Sequence, residues 1–219
     1  MLSNPMWTSL ATTHAGHAQT SGLLKRFVPD VAPFCAVEQA GADIGGATIL
    51  HQGEHIYFLG TIPALPANCT VVYEAAILQM VYAGEALPPA GDGAPLLDNA
   101  AIPAMLELTA LVYPEFFRPR TKALGSYIGV HVDGKLAAMA GQRLACPGYR
   151  EISAVCTHPD HRGQGHAARL IRQLSSAILA DGDIPFLHVS ASNSRAWALY
   201  ENLDFKASRE LRFLEVRVD

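Results

Sequence analysis

The chain has 219 residues, of which 50% are hydrophobic and 16% are charged, and its formal net charge is −4 at pH 7. This composition is typical of a soluble globular protein with one large domain or two small ones, and it excludes a disordered chain. A negative net charge gives no general attraction to polyanions, so we expect no nucleic-acid partner. Beyond position 100, basic residues outnumber acidic ones by fourteen to twelve, against two to eight before it. The C-terminal half is therefore expected to handle any anionic ligand.

The cysteines and the hydropathy pattern indicate the cellular compartment in which the protein is expected. Four cysteines are scattered singly along the chain, at Cys35, Cys69, Cys146 and Cys156. Without a C-x-x-C pair, they predict reduced thiols rather than a zinc knuckle or a disulfide framework. We also find no secretory signal and no stretch of membrane-spanning length, so a cytoplasmic protein with no membrane partner is expected.

The first hundred residues predict a small, mostly β lobe. An Ala-, Thr- and Leu-rich stretch over 7–24 predicts a helix. Short apolar runs between turn residues predict strands over 31–37, 47–51, 55–59 and 71–82. The last run is long enough to be partly helical, and its periodicity does not decide between the two. Three prolines and three glycines within 84–95 predict a linker, which divides the chain into domains of residues 1–90 and 94–219.

The C-terminal part predicts alternating strands and helices. Leu96 and Leu97 predict a short strand, and Asp98 or Asn99 is expected to cap a helix over 102–112. A short helix or turn over 114–124 precedes a hairpin centred on Asp133-Gly134. The pattern then predicts, in chain order, strands over 127–132, 136–144 and 151–157, a helix over 165–180, a strand over 186–189, a helix over 194–202 capped by Asn193, and a strand over 211–218.

Residues 151–167 are the part of the sequence with the clearest chemistry. A β-branched strand ends in a turn at Pro159, and Gly163 and Gly165 open the next helix. Unpaired N–H groups and the helix dipole at such a start favour a phosphate or pyrophosphate. A P-loop is excluded because His-Ala, not Lys-Ser/Thr, follows Gly165. The dinucleotide fingerprint fits only loosely, because Asp183 precedes the next strand instead of ending it.

The same segment fits a third pattern, Arg/Gln-x-x-Gly-x-Gly/Ala, through Arg162-Gly-Gln-Gly-His-Ala. Hairpin, strand, proline turn, glycine loop and helix follow in order, and residues 193–205 read Asn-Ser-Arg-Ala-Trp-Ala-Leu-Tyr-Glu-Asn-Leu-Asp-Phe. With these features, residues 126–205 resemble the GNAT superfamily of acetyl-CoA-dependent N-acyltransferases. Asp204 stands where that family usually has glycine, and aspartate can adopt the left-handed conformation needed there.

The resemblance implies an α/β fold in which helices flank a mixed, mostly antiparallel central sheet. The arrangement of the chain is similar to that of the two-lobed glycine N-acyltransferase-like branch, in which a degenerate lobe precedes the active one. The N-terminal β-rich lobe is the part of this chain that would correspond to the degenerate lobe.

The resemblance also implies a cofactor site for acetyl-CoA. The strand before the glycine loop would hold pantetheine by backbone hydrogen bonds, with the Val155 N–H as oxyanion donor, and the loop would cradle the pyrophosphate. The residues assigned to the cofactor are Val155, Cys156, Thr157, Arg162, Gly163, Gln164, Gly165, His166, Ala167 and Asn193.

Amine acylation by a thioester needs a proton acceptor and a proton donor. Tyr200 occupies the position of the family tyrosine that protonates the leaving thiolate; the alternative is a half-buried aromatic beside Trp197. Glu151 lies four residues before Val155 and is assigned as general base; the alternative is a solvated carboxylate at a strand end.

Several other side chains have competing interpretations. Phe117, Arg118 and Arg120 are assigned to acceptor binding because arginines among aromatics can bind a carboxylate, although surface charges are the alternative. No metal is expected at the histidines near the glycine loop, because that backbone must face phosphate. His188 is expected to be a packed, hydrogen-bonded histidine, and Cys156 to point into the core.

Together these assignments predict an N-acetyltransferase that transfers an acetyl group from acetyl-CoA to a primary amine of a small molecule or amino acid. The amine would attack directly in a ternary complex. The alternative is a catalytically silent acyl-CoA-binding or regulatory module. The identity of the acceptor and the choice between monomer and homodimer stay open.

Overall fold

The computed structural model describes residues 2–85, 93–112 and 114–219. Within these residues the strands are β1 (Ala18–Ser21), β2 (Leu24–Phe27), β3 (Phe34–Val37), β4 (His55–Leu59), β5 (Cys69–Tyr82), β6 (Tyr127–Val132), β7 (Lys135–Cys146), β8 (Tyr149–Thr157), β9 (Ile184–Ser190) and β10 (Phe205–Val218). The α-helices are α1 (Pro5–Ala11), α2 (Ile102–Val112), α3 (His166–Ala180) and α4 (Ser194–Glu201).

All the strands belong to one sheet, in the order β1-β2-β3-β4-β10-β5-β9-β8-β7-β6. Its pairs are antiparallel except for β3 with β4 and β8 with β9, which are parallel. The mixed, mostly antiparallel sheet flanked by helices is therefore confirmed.

Local sequence explains the elements that surround the glycine loop. Asp133 and Gly134 have φ angles of 51° and 76°, as a tight hairpin turn requires, and they connect β6 to β7. The α3 helix buries Leu170, Ile171 and Ile178 completely, so its apolar stripe faces the sheet. The hairpin and the helix are confirmed close to their predicted bounds.

The helix predicted over 7–24 is wrong beyond its first turns. The α1 helix ends at Ala11, and residues from Ala18 onward form the β1–β2 hairpin. Gly22 turns this hairpin with a φ of 57°, a conformation that favours glycine over other residues. The glycine and the threonines in this stretch have low helix propensity. The prediction gave them too little weight against the apolar residues of the same stretch.

Two strand predictions in the N-terminal part also need correction. Residues 47–51 form turns instead of a strand, and the Ile49 carbonyl accepts a hydrogen bond from Arg26 Nη1 at 2.7 Å. The strand predicted from residue 31 begins only at Phe34, because the Val31 N–H closes a turn onto the Val28 carbonyl. The run over 71–82 is entirely β, as part of β5.

The position of β5 connects the two parts of the chain. It pairs with β10 along nearly its whole length and with β9 at residues 77–81. Residues 86–92 of the linker predicted over 84–95 lie outside the described residues. The division into 1–90 and 94–219 stays a prediction, and the sheet runs without interruption through strands of both parts.

None of the helices in the described residues is long and apolar enough to cross a membrane.

Candidate active site

The glycine loop lies where β8 gives way to α3. Gly163 and Gly165 have φ angles of 81° and 76°, which a side chain at either position would strain. Gly165 is the residue just before α3, so the unpaired N–H groups of the first helical turn begin beside it. The predicted anion site at a helix start is therefore present as backbone geometry.

The strands β8 and β9 separate beside this loop. Their parallel ladder pairs Tyr149, Arg150 and Glu151 of β8 with Ile184, Pro185 and Phe186 of β9, and within the described residues it ends there. From Ile152 onward, β8 pairs only with β7 on its other side. The backbone groups of β8 that face the opening are thus available to a ligand.

A bulge at Ala154 marks the point of separation. Ala154 has a φ of 51°, and it lies within a register shift between β7 and β8, where Ala154 and Val155 stand opposite the single residue Ala140. A bulge adds a residue and redirects the following backbone groups. Here it redirects the N–H of Val155, the predicted oxyanion donor. Alanine has no preference for positive φ, so this bulge could not be predicted from the residue type.

Two cavities meet at the separated strands. One, of about 520 Å³, is lined by the glycine loop from Arg162 to Ala168 and by Val155, Cys156 and Thr157. The other, of about 490 Å³, is lined by β8 at residues 152–155. Both are lined by Val155, Asn193, Ala196 and Tyr200. The residues predicted to hold the cofactor are therefore brought together around the first cavity; we name it the loop cavity and the second the aromatic cavity.

Tyr200 lies on α4 at the junction of the two cavities and is 8% exposed. Burial raises its pKa to about 12. The phenol therefore keeps its proton at neutral pH and can donate a hydrogen bond to an atom at the junction. Asn193 caps α4 by accepting a hydrogen bond from the Ala196 N–H at 3.1 Å, and this cap fixes the start of the helix.

The aromatic cavity takes one wall from the N-terminal part of the chain. Phe34 of β3 stacks on Phe116, with ring centroids 5.7 Å apart, and Phe213 of β10 meets Phe116 edge to face at 6.0 Å. Phe117 also lines this cavity and is 8% exposed. The opposite wall is β8 at residues 152–155.

A charged cluster lies beneath the aromatic cavity. Arg143 and His188 line the cavity, whereas Glu151, 1% exposed, lies behind them. Arg143 donates to the Glu151 carboxylate through Nε at 2.8 Å and Nη2 at 2.6 Å. The same carboxylate accepts from the Leu144 N–H at 3.2 Å and lies 2.8 Å from Nδ1 of His188.

These contacts determine the protonation of Glu151. Burial by itself would raise the pKa of the carboxyl group. The charge of Arg143 and the hydrogen bonds from Arg143 and His188 outweigh burial and lower the pKa to about 2. Glu151 is therefore a buried carboxylate with several donors already bound.

The His188 ring lies between two oxygen atoms. Nδ1 faces Glu151 Oε1, and Nε2 lies 3.3 Å from Oε1 of Gln79. Two oxygen acceptors suit a ring with a proton on both nitrogens, or a neutral ring after a 180° rotation of the Gln79 amide. The expectation of a packed, hydrogen-bonded histidine is met, and the ring also lines the aromatic cavity.

The predicted acceptor arginines are not brought to either cavity. Arg120 has a 55% exposed side chain and pairs with Asp30 at 3.3 Å. Arg118 is half-buried and is absent from the described residues that line the two cavities. The cation that lines the aromatic cavity is instead Arg143, a charged residue among the mostly buried residues of β7. Such a residue is a sequence signal, because an arginine in a buried strand requires a partner.

The three histidines around the glycine loop differ in position. His161 and His166 line the loop cavity, while the side chain of His158 caps the turn after β8 by accepting from the Asp160 N–H at 3.3 Å. Among the residues that the structure describes, no group of three His, Cys, Asp or Glu side chains is placed to hold a metal ion.

Comparisons with known proteins show the family of the chain. Residues 127–214 match the family model of FR47-like proteins. The chain is 35% identical to a GNAT-family acetyltransferase from Novosphingobium aromaticivorans over 100% of its own length and 98% of that chain, with a TM-score of 0.92. The chain therefore belongs to the GNAT family of acetyltransferases.

More distant structures share the fold. A GCN5-related N-acetyltransferase from Kribbella flavida is 15% identical over 95% of this chain and 94% of that one, with a TM-score of 0.61. A GCN5-related N-acetyltransferase-like protein from Streptococcus suis is 19% identical over 97% and 92%, with a TM-score of 0.62. A comparison with curated protein sequences finds no match.

Proposed function

We propose that the protein transfers an acetyl group from acetyl-CoA directly to a primary amine within a ternary complex. The observation that supports this most strongly is the junction of two cavities at Val155 and Tyr200. One cavity has the groups that suit a pyrophosphate, and the other offers a largely apolar space for an acceptor. Direct transfer needs both substrates side by side, and no covalent enzyme intermediate is required.

In this proposal acetyl-CoA lies in the loop cavity. N–H groups of the glycine loop and the start of α3 hold the pyrophosphate, and Arg162, His166 and Arg195 at the cavity wall complement its charge. Val155, Cys156 and Thr157 offer the pantetheine chain backbone groups left unpaired where β9 leaves β8. The acyl group then reaches the junction of the cavities.

The amine nitrogen attacks the thioester carbon from the aromatic cavity. A C–N bond forms, and the carbonyl oxygen becomes an oxyanion that the Val155 N–H stabilises. The C–S bond then breaks, and Tyr200 donates a hydrogen bond or its proton to the departing thiolate. The excess proton on nitrogen leaves the amine before the amide product forms.

We assign the route of this proton to His188 rather than to direct contact with Glu151. The carboxylate lies behind the cavity wall and has a pKa of about 2, so it is a weak acceptor where it stands. His188 lines the cavity with Nδ1 hydrogen-bonded to Glu151, so the neutral ring takes up the proton at Nε2, in place of the Gln79 contact, and the Glu151 carboxylate stabilises the resulting charge. Glu151 keeps a part in proton transfer, as the group that positions His188 and balances its charge.

Two measurements test the proposal. Acetyl-CoA, and not NAD, should raise the melting temperature of the protein, because only the correct ligand binds the folded state. Thiol release from acetyl-CoA should then depend on an added amine from a pool of small amines and amino acids. Tight binding of acetyl-CoA without transfer to any amine would favour the silent acyl-CoA-binding module, and stabilisation by NAD alone would reject both.

A further inference from the structure

The aromatic cavity has a composition that selects among amines. Phe34, Phe116 and Phe213 line it as a continuous cluster of rings, with Tyr57 packed behind at 5.1 Å from Phe116 and 5.7 Å from Phe213. The ring pairs are stacked or edge to face, the two arrangements that aromatic groups prefer. A further ring entering the cavity would extend the same packing.

The cluster is fixed by contacts outside the cavity. The Tyr57 hydroxyl donates to the Glu115 carboxylate at 2.7 Å, and Glu115 itself has a φ of 90°. This bond holds the loop that carries Phe116 against β4. The rings are therefore positioned before a ligand arrives, which lowers the entropy cost of binding.

The charges around the cavity restrict the acceptor further. Among the described residues that line it, the charged or titratable side chains are Arg143, His188 and three tyrosines, and none is Asp or Glu. Glu151 is engaged behind the wall with Arg143 and His188, whereas Glu115 is exposed, lies outside the lining and accepts a hydrogen bond from Tyr57. A second ammonium group on the acceptor would find no carboxylate in the cavity and would face Arg143.

We infer that the acceptor is a primary amine carried by an aromatic group with no second positive charge. Its ring packs among Phe34, Phe116 and Phe213, and its amine lies toward Val155 and Tyr200. Polyamines and other multiply cationic amines are excluded as good substrates. This inference rests on the proposed acetyl transfer and names the substrate class for the same site.

Matched amines separate the two requirements. 4-Methylbenzylamine and p-xylylenediamine share the ring, but only the diamine has a second charge. (4-Methylcyclohexyl)methylamine has a similar size without an aromatic face. In thiol release from acetyl-CoA, 4-methylbenzylamine should show a kcat/KM about tenfold above either comparison amine, the size of effect expected from one or two ring contacts or one uncompensated charge.

Two variants locate the effect. Phe116→Leu should raise the KM for 4-methylbenzylamine about fivefold or more and leave the KM for acetyl-CoA unchanged, because a ring contact is lost on the acceptor side alone. Tyr149→Leu is the matched control, since this half-buried aromatic lines neither cavity. It should leave the preference among the three amines intact.

The outcomes distinguish this inference from the proposed function. Transfer to p-xylylenediamine or to the cyclohexyl amine as efficient as transfer to 4-methylbenzylamine would overturn the inference and leave acetyl transfer standing. If no amine is acetylated, the proposed function fails, and calorimetric titration of the three amines into the CoA-bound protein decides on the cavity. Tighter binding of 4-methylbenzylamine, lost in Phe116→Leu, would support the inference there, whereas equal binding or none would overturn it.

Discussion

Glu151 is 1% exposed and held by Arg143 and His188, so its charge depends on these two partners. Its folded-state pKa of about 2 lies below the ordinary value of 4.5. The interaction therefore stabilises the fold fully above pH 4.5 and is lost as the pH falls from 4.5 toward 2.

We expect Glu151→Gln to lower the free energy of unfolding at pH 7 by roughly 3 kcal/mol, because it removes the buried carboxylate that the half-buried Arg143 binds through two hydrogen bonds. The variant should also lose part of the decline in stability between pH 4.5 and 2 that the wild type shows. Urea unfolding across this pH range measures both effects. Glu74→Gln, which removes an exposed partner of Arg212, is the control and should change neither. An unchanged acid profile in Glu151→Gln would contradict the structural role of the cluster.

His188 gives a second prediction at this scale. If it accepts the amine proton, the pH profile of kcat should have an acidic limb that disappears in His188→Gln, with kcat reduced by about 100-fold. Glu151→Gln should lower kcat but keep that limb, since Glu151 acts by positioning His188. Direct action of Glu151 would give the opposite result, with the limb lost in Glu151→Gln and retained in His188→Gln.

Two glycines show how the same substitution tests different elements. An added Cβ at Gly165 meets nothing within 4 Å, so Gly165→Ala should cost only the backbone strain of a φ of 76°, about 1 kcal/mol. Because Gly165 belongs to the glycine loop, the Kd of the Gly165→Ala variant for acetyl-CoA should also rise, and calorimetry can measure this. At Gly141 a Cβ would overlap the ring of Tyr127, so Gly141→Ala should cost more in stability, about 2 kcal/mol or above. Gly141→Ala should leave the Kd for acetyl-CoA nearly unchanged despite its larger loss of stability. If the Kd rose in both variants in proportion to the stability lost, Gly165 would have no specific role in binding.

The elements differ in how far the sequence predicted them. The glycine loop, α3 and the Asn193 cap depend on neighbours a few residues away, and the predictions there are confirmed. The aromatic wall needs Phe34 and Phe116 to meet across a sheet order that no local pattern encodes, so it was missed. Arg143 was missed for the same reason, since its partner Glu151 is brought opposite only by the β7–β8 pairing.

At the scale of the whole molecule, the sheet order and the predicted domain division lead to different expectations. Both neighbours of β10, namely β4 and β5, come from residues 1–90. A fragment of residues 94–219 would keep β6 to β9 but leave β10 unpaired. We therefore expect this fragment to show no cooperative thermal transition, and co-expression with residues 1–90 to restore one, as measured by circular dichroism. A fragment that unfolds cooperatively and binds acetyl-CoA on its own would instead support the division into 1–90 and 94–219.

The same continuity explains how the whole chain makes one site. The C-terminal part supplies the glycine loop, β8 and Tyr200, whereas β3, β4 and the start of β5 supply residues on the far side of the aromatic cavity. Neither part alone encloses both cavities. The N-terminal part thus contributes to the wall of the cavity where we propose that the acceptor binds, a role that the prediction of a degenerate lobe did not include.

We propose that transfer occurs at the junction of the two cavities, where the Tyr200 hydroxyl donates to the departing thiolate. The most direct test is the rate of amine-dependent thiol release by Tyr200→Phe relative to wild type, at saturating acetyl-CoA and 4-methylbenzylamine. We predict a kcat lower by about 100-fold or more, with the Kd for acetyl-CoA changed by no more than about twofold, because the phenyl ring keeps the cavity wall and removes only the donor. A kcat equal to that of the wild type would contradict this account.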